Sequence, residues 1–176
     1  FYFDIRKDTL YCDSKNSEKR KNSIIVLNII LESLIKWFAP ILSFTTEEIF
    51  TLISKDKKSI HLEKFMEFPK SFENEQLNQK WVELKKIRDI CNISIELKRA
   101  SKEIGSSLEA NLIINLNKDL YEISNNIDFA ELCITSSALV KKSNAKDVTA
   151  DAIKAEGNKC PVCWKVNKEK CTRHSD

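Results

Sequence analysis

Apolar residues are most concentrated between positions 23 and 50. From Ile24 to Ala39 the chain is almost wholly apolar, and its main polar residues recur every fourth position: Asn28, Glu32 and Lys36. That spacing predicts an α-helix with one narrow polar stripe. Such a helix needs cover around most of its circumference, so we expect it at the centre of a helical bundle. The polar residues interrupt any run long enough to span a bilayer, which argues against a membrane helix.

Helices are also expected on either side of this segment. Pro40 cannot continue the first helix, and Thr45 followed three residues later by Glu48 is typical of a capping box, which predicts a second helix over residues 46–53. Residues 1–12 carry apolar side chains compatible with a helix that packs on the central one: Phe1, Ile5, Leu10 and Tyr11. Residues 57–69 favour a connecting loop whose apolar side chains pack against the bundle: Ile60, Leu62, Phe65 and Phe68.

Residues 75–102 return to a helical pattern with two adjoining apolar rows. The rows are Trp81, Leu84, Ile87 and Cys91, and then Ile90, Ile93, Leu97 and Ala100. Gly105 suits the left-handed conformation that follows many helices, so we expect the helix to be terminated there.

After Gly105 the apolar period changes from helical to alternating. Leu112, Ile114 and Leu116 share one face of a predicted half-buried strand. The pattern predicts three further elements, a short helix over residues 118–126 and strands over 132–137 and 148–153. These elements together indicate a small mixed α/β unit that follows the helices.

Composition and charge exclude few classes of protein. The chain has 176 residues and is 42% hydrophobic, which suits one sizeable domain with a small appendage. Its net charge of +3 does not by itself indicate a nucleic-acid-binding protein. The chain starts at Phe1 without a methionine, so we expect a piece of a longer protein. No secretory signal is visible in it.

The cysteines are divided between isolated positions and one terminal group. Cys12, Cys91 and Cys133 are expected to be buried free thiols. The terminal group has the spacing C-x2-C-x7-C-x2-H and consists of Cys160, Cys163, Cys171 and His174. Two pairs of soft or borderline donors suit one tetrahedral zinc ion, and the segment has few apolar residues to hold it folded otherwise. The alternative is a set of free cysteines near a frayed terminus.

Cations surround these predicted ligands and indicate RNA binding. The candidate contacts are Trp164, Lys165, Lys168, Lys170 and Arg173. Lysine and arginine would hold phosphates, while an indole offers a surface on which an unpaired base can stack. Trp164 has an alternative role, in which it covers the metal site as a minimal core.

Further candidate RNA contacts lie in the helical region: Arg6, Lys7, Lys19, Arg20, Lys21 and Arg99. The three cations at positions 19–21 oppose the dipole at the start of a helix, which favours a ligand role. Arg99 lies near a helix C-terminus, where ordinary helix stabilisation explains it equally well. A solvated charged face explains Arg6 and Lys7 better than RNA contact does.

Four stretches resemble one family. FYFDIRKDTLYCD at the start and APILSFTTEEIF after the long apolar helix are similar to the anticodon-binding region of isoleucyl-tRNA synthetases, which are class I aminoacyl-tRNA synthetases. The helical motifs are shared in weaker form with valyl and leucyl synthetases. IGSSLEA at 104–110 and KAEGNKCPVCW at 154–164 are similar to the C-terminal end of the bacterial-type isoleucyl enzyme.

The resemblance implies a mainly α protein of three parts. These parts are a helical-bundle anticodon-binding domain over residues 1–103, a small α/β junction domain over 104–154 and a zinc-binding tail over 155–176. The family's site resembles four cysteines in two C-x2-C pairs, whereas this chain has His174 in the last position. That substitution puts the fourth ligand in question.

The resemblance also implies a role in protein synthesis. The full-length cytoplasmic enzyme would use ATP to attach isoleucine to its tRNA, with ATP bound outside these residues, while this part recognises and positions the tRNA. Its partners would be the isoleucine-accepting tRNA and the upstream catalytic and editing domains of the same chain, with no membrane. No catalytic motif is visible in these residues. The alternatives are a valyl- or leucyl-type anticodon domain and a zinc-stabilised helical module that binds another protein.

Overall fold

The computed structural model describes residues 1–54 and 58–174. The helices are α1 (Tyr2–Cys12), α2 (Glu18–Phe38), α3 (Ser43–Ile53), α4 (Glu75–Ala100), α5 (Lys118–Ile123) and α6 (Phe129–Leu132). The strands are β1 (Ala110–Leu116), β2 (Ser137–Lys142), β3 (Thr149–Lys154), β4 (Asn158–Lys159) and β5 (Val166–Asn167). The chain is therefore mainly α-helical with a small sheet, as predicted. None of the described helices has the length and apolar character that crossing a membrane requires.

The chain forms two compact units. The smaller consists of residues 15–73, and the larger combines residues 1–14 with residues 74–176. The boundaries predicted at 103 and 154 do not coincide with these units, because α1, α4 and the sheet contribute to one hydrophobic core.

The core of the larger unit lies between α4 and a three-stranded sheet. The strand order is β2-β1-β3, with β1 parallel to β2 and antiparallel to β3. Leu112, Ile114 and Leu116 are buried on one face of β1, which confirms the predicted alternation. The third strand, expected over 148–153, is β3.

Helix α4 buries a single apolar row, made of Leu84, Ile87, Cys91 and Ile95. The second predicted row is wrong, since Ile93 is 64% exposed and Leu97 is exposed as well. The expectation that Gly105 terminates the helix is also wrong. Lys102 takes the left-handed conformation, with φ of 60°, two residues after the helix ends. The lysine side chain remains in solvent there, so no packing prevents this backbone conformation.

The strand predicted over residues 132–137 is wrong in most of its length. Asp128 accepts a hydrogen bond from the Glu131 amide at 3.1 Å and so caps the short helix α6. Ile134 follows with a positive φ of 57°, and β2 begins only at Ser137. The capped helix thus takes up Leu132, and the turn at Ile134 takes up most of the remaining residues of the predicted strand.

Helix α1 belongs to the larger unit. Ile5 and Thr9 are its buried residues, and Ile5 joins the core that contains α4 and the sheet. The sequence predicted that α1 packs on the long apolar helix, and the core that α1 joins is that of the larger unit. Tyr11, which was expected to pack, is 83% exposed. The buried row therefore continues through threonine, whose hydroxyl bonds the Glu131 carboxylate at 3.3 Å.

The smaller unit contains the long apolar helix, α2, which begins after an N-cap at Ser17. The prediction of a central helix that is covered around most of its circumference is wrong. Its buried residues are Ser23, Ser33 and Ile35, whereas Ile25 is 56% and Trp37 51% exposed. Helix α3 and a 3₁₀ turn at Ile60–Leu62 pack on α2, and several apolar side chains of α2 remain exposed.

Helix α3 does not start with the predicted capping box. It begins at Ser43, its N-cap residue Leu42 makes no side-chain capping bond, and the Thr46 hydroxyl donates to the Leu42 carbonyl at 3.0 Å. The following loop was expected from position 57, which lies outside the described residues. In its described part Ile60 is buried, but the other predicted packing residues are exposed: Leu62, Phe65 and Phe68.

Candidate metal centre and nucleic-acid interface

The C-terminal residues of the larger unit form a two-stranded hairpin. Strands β4 and β5 pair antiparallel. Two backbone hydrogen bonds close the turn between them: the Cys160 amide donates to the Lys165 carbonyl at 2.9 Å, and the Trp164 amide donates to the Cys160 carbonyl at 3.0 Å. Gly157 precedes the hairpin with φ of 130°, where a Cβ atom would lie 2.3 Å from the Asn167 carbonyl oxygen. Only glycine fits that close approach of the two strands.

Four side chains meet at this hairpin. The ligand atoms of Cys160, Cys163, Cys171 and His174, the Cys/His cluster, all lie within 4.8 Å of one another. The Nε2 atom of His174 is 3.4 Å from the sulfur of Cys160 and 3.4 Å from that of Cys171, and the sulfurs of Cys163 and Cys171 are 4.0 Å apart. Zinc–sulfur bonds of about 2.3 Å in a tetrahedron place neighbouring sulfurs about 3.8 Å apart, so these spacings fit the ion.

Two thiols of the cluster have pKa values shifted in opposite directions. The backbone amide of Cys163 is the main factor that lowers the pKa of the Cys160 thiol to about 6, which makes a thiolate at neutral pH. Burial is the main factor that raises the pKa of Cys163 to about 11. Because zinc binds the thiolate, a metal ion would displace the proton from Cys163.

The remaining ring nitrogen of His174 faces helix α1. Its Nδ1 atom is hydrogen-bonded to the backbone carbonyl oxygen of Cys12, the last residue of α1. The neighbouring Arg173 is paired through two nitrogen atoms with Asp8 and Asp13. The sequence pattern missed these partners of the tail, because nothing in the spacing relates residues more than 150 positions apart.

Two further contacts hold the hairpin against the α/β part of the larger unit. The Ser136 hydroxyl accepts a hydrogen bond from the Val166 amide at 2.6 Å and donates one to the Leu108 carbonyl at 2.5 Å. The Lys159 ammonium lies 3.1 Å from the Glu109 carboxylate, which also accepts the Gly105 amide at 2.9 Å. The IGSSLEA segment thus supports the hairpin.

The predicted RNA contacts of the tail lie mostly at the surface. Trp164 is 60% exposed, and the Lys159 ammonium lies 5.9 Å from its ring centroid. The indole is therefore not a buried cover for the Cys/His cluster. Lys168 is exposed and 3.3 Å from the Glu156 carboxylate, Lys170 is exposed and Lys165 is half-buried.

The other predicted RNA contacts differ in their surroundings. Arg6 pairs with Glu131 at 2.6 Å, and Arg99 pairs with Glu96 at 2.7 Å on its own helix. Like Arg173, these two arginines have acidic partners. Lys7, Lys19 and Lys21 are exposed, and Arg20 is half-buried in the first turn of α2.

Comparison with known proteins places the chain in a family. Residues 1–114 match the model of the anticodon-binding domain of tRNA ligase, and the chain belongs to that family.

Its similarity to individual proteins covers nearly the whole chain. It is 77% identical over 176 residues to a protein of Pelagibacter ubique named isoleucine–tRNA ligase, with 100% of the chain and 19% of that protein covered. It is 39% identical to proteins of the same name from Agrobacterium fabrum and Bartonella henselae, with 94% and 96% of the chain covered and 18% of each relative. The chain spans about a fifth of the length of these curated relatives.

Proposed function

We propose that this chain is the C-terminal tRNA-binding part of an isoleucine–tRNA ligase, where it recognises and positions the anticodon stem and loop. The observation that carries the proposal is the identity of 77% over the entire chain, cysteine hairpin included, to a protein of that name. The match of residues 1–114 to the anticodon-binding family agrees with it.

The proposal divides the work within a longer protein. Catalytic and editing domains elsewhere in that protein would activate isoleucine with ATP, transfer it to the tRNA and remove errors, in the cytoplasm. This chain would contribute binding energy and alignment, because a tRNA held at its anticodon end presents its acceptor end in a fixed place.

The proposed metal is one zinc ion held by Cys160, Cys163, Cys171 and His174. Three thiolates and one imidazole form a closed, structural type of site. The ion would stabilise the short hairpin and so fix the position of Trp164 and its neighbouring lysines. The replacement of the family's fourth cysteine by His174 is compatible with this role, since its Nε2 atom faces the sulfurs.

Salt titration of tRNA binding tests the proposal. The 176-residue chain is titrated with isoleucine tRNA and with a tRNA of different anticodon, at several salt concentrations. We expect tighter binding of isoleucine tRNA, with affinity that falls with salt by a logarithmic slope of about 0.7 to 0.9 per phosphate contact. Removal of zinc by a chelator should weaken the preference.

Three results would contradict parts of the proposal. Equal binding of both RNAs would mean that the chain supplies electrostatic attraction but does not read the anticodon. Absence of RNA binding, with little effect of salt on the chain's associations, would favour the alternative of a zinc-stabilised module for protein interaction. Preference for a valine or leucine tRNA would reassign the substrate within the same family.

A further inference from the structure

The end of helix α1 faces the Cys/His cluster and offers it a backbone carbonyl oxygen as a hydrogen-bond acceptor. The last four carbonyl groups of an α-helix have no partner within the helix. Cys12 is the last residue of α1, and its carbonyl oxygen instead accepts a hydrogen bond from Nδ1 of His174. A helix C-terminus carries partial negative charge, so it favours an N–H group at this place.

This contact determines which nitrogen of His174 is available. A carbonyl oxygen can only accept, so Nδ1 must carry the proton. In the neutral imidazole Nε2 then has a free lone pair, and Nε2 is the atom 3.4 Å from the sulfurs of Cys160 and Cys171. Metal-binding histidines commonly have their second ring nitrogen held by a carbonyl or carboxylate in this way.

Arg173 holds the backbone next to His174. Its Nη1 atom pairs with Asp8 and its Nε atom with Asp13, so two carboxylates of the α1 region hold one guanidinium. The side chain of Asp13 is only 8% exposed, and that of Arg173 is 26% exposed. A planar guanidinium bound on two sides has little rotational freedom, and the residue that follows it is positioned accordingly.

We infer that the C-terminal end of α1 is the outer coordination shell of the metal site. In this arrangement the Cys12 carbonyl selects the His174 tautomer, while Asp8 and Asp13 are positioning residues that act through Arg173. The tail is therefore not an independent metal-binding module, because its fourth ligand depends on a helix some 160 residues earlier in the chain. The inference rests on the proposed zinc site.

A double variant, Asp8→Asn with Asp13→Asn, tests the positioning role in the full 176-residue chain. Loss of both carboxylates should weaken zinc binding by up to about 10- to 100-fold, the loss caused by removal of a group that is bonded directly to a metal ligand. Affinity is measured by competition with a chromogenic chelator. The matched control is Asp4→Asn, which removes an α1 carboxylate whose partner, at 3.4 Å, is Arg88 of helix α4. Its zinc affinity should equal that of the parent chain.

Nitrogen NMR of the zinc-loaded parent chain tests the tautomer and needs no variant. We expect a protonated Nδ1 and a metal-bound Nε2 on His174. Zinc on Nδ1, or an uncoordinated imidazole, would overturn the inference. So would unchanged zinc affinity in the double variant with wild-type circular dichroism.

The two proposals fail in different ways. If the parent chain binds no zinc, the proposed metal site is wrong, and the outer-shell role of α1 is refuted as well. If the parent chain binds zinc and the double variant binds it equally well, the zinc site stands and only the role of α1 is refuted. If the double variant fails to fold, the NMR measurement decides.

Discussion

The hydroxyl of Ser136 accepts a hydrogen bond of 2.6 Å from the amide of Val166, 30 residues further along the chain. The same hydroxyl donates to the Leu108 carbonyl at 2.5 Å, so one buried side chain joins the sheet region to the hairpin. Ser136 thus holds the hairpin that carries the Cys/His cluster on the side of the sheet. On the side of α1, Arg173 and His174 bond to residues at the end of that helix.

Replacement of this serine tests its joining role. Ser136→Ala leaves the Val166 amide and the Leu108 carbonyl without their shared partner, which should cost about 1–3 kcal/mol of unfolding free energy. Chemical denaturation measures the loss, and hydrogen exchange at Val166 should accelerate. Ser137→Ala is the control, because Ser137 is exposed. Equal stability of the two variants would show that the bridge contributes nothing.

A second prediction concerns the glycine at the base of the hairpin. Gly157→Ala places a Cβ atom against the Asn167 carbonyl in a left-handed conformation, so we expect a loss of about 1–3 kcal/mol and weaker zinc binding. Gly105→Ala is the control, because its Cβ would meet only the flexible Glu109 side chain at 3.3 Å. Thermal denaturation with and without zinc distinguishes them. A neutral Gly157→Ala would contradict the close strand approach.

The buried face of α4 provides a third prediction. Ile87→Ala removes a fully packed side chain and should destabilise the larger unit by about 2–5 kcal/mol. Ile93→Ala, on the exposed side of the same helix, should change stability by no more than about 0.5 kcal/mol. Urea denaturation of both variants measures the difference. Similar losses would mean that the second apolar row is covered after all.

The Glu109 carboxylate should make stability depend on pH. The Gly105 amide is the main factor, ahead of Lys159, that lowers the pKa of Glu109 below its ordinary value of 4.5. A lowered pKa stabilises the folded state above the ordinary value, and this contribution is lost as pH falls through the lower folded-state pKa. Comparison of Glu109→Gln with the parent chain between about pH 3 and pH 6 should show a shallower pH dependence in the variant. Parallel curves would refute the prediction.

The exposed indole of the hairpin provides a test of RNA binding. If Trp164 stacks on an unpaired base, Trp164→Ala should weaken tRNA binding by about 1–3 kcal/mol, or roughly 5- to 150-fold. Trp37→Ala removes an indole of similar exposure from the smaller unit and serves as the control. Fluorescence titration or filter binding gives both affinities. Equal effects of the two substitutions would contradict the stacking of a base on Trp164.

Local patterns predicted the elements better than their packing. The helical period predicted α4 and the alternation predicted β1, because side-chain direction along one element follows from backbone geometry alone. The same patterns failed over residues 132–136, where the end of α6 and a turn with Ile134 at positive φ precede β2. They also failed to predict how much of α2 is buried. Apolar residues indicate that a helix has a surface for a partner, but they do not show how much of that surface this chain itself covers.

The sequence by itself determined the helical class, the alternating strand and the four residues of the Cys/His cluster, because each depends on residues close together in the chain. Only the tertiary structure decided that α1 belongs with the sheet, that Ser136 holds the hairpin, and that Asp8, Asp13 and the Cys12 carbonyl lie behind His174. The physical reason is that these contacts join residues up to 165 positions apart, and such a meeting depends on how whole elements pack.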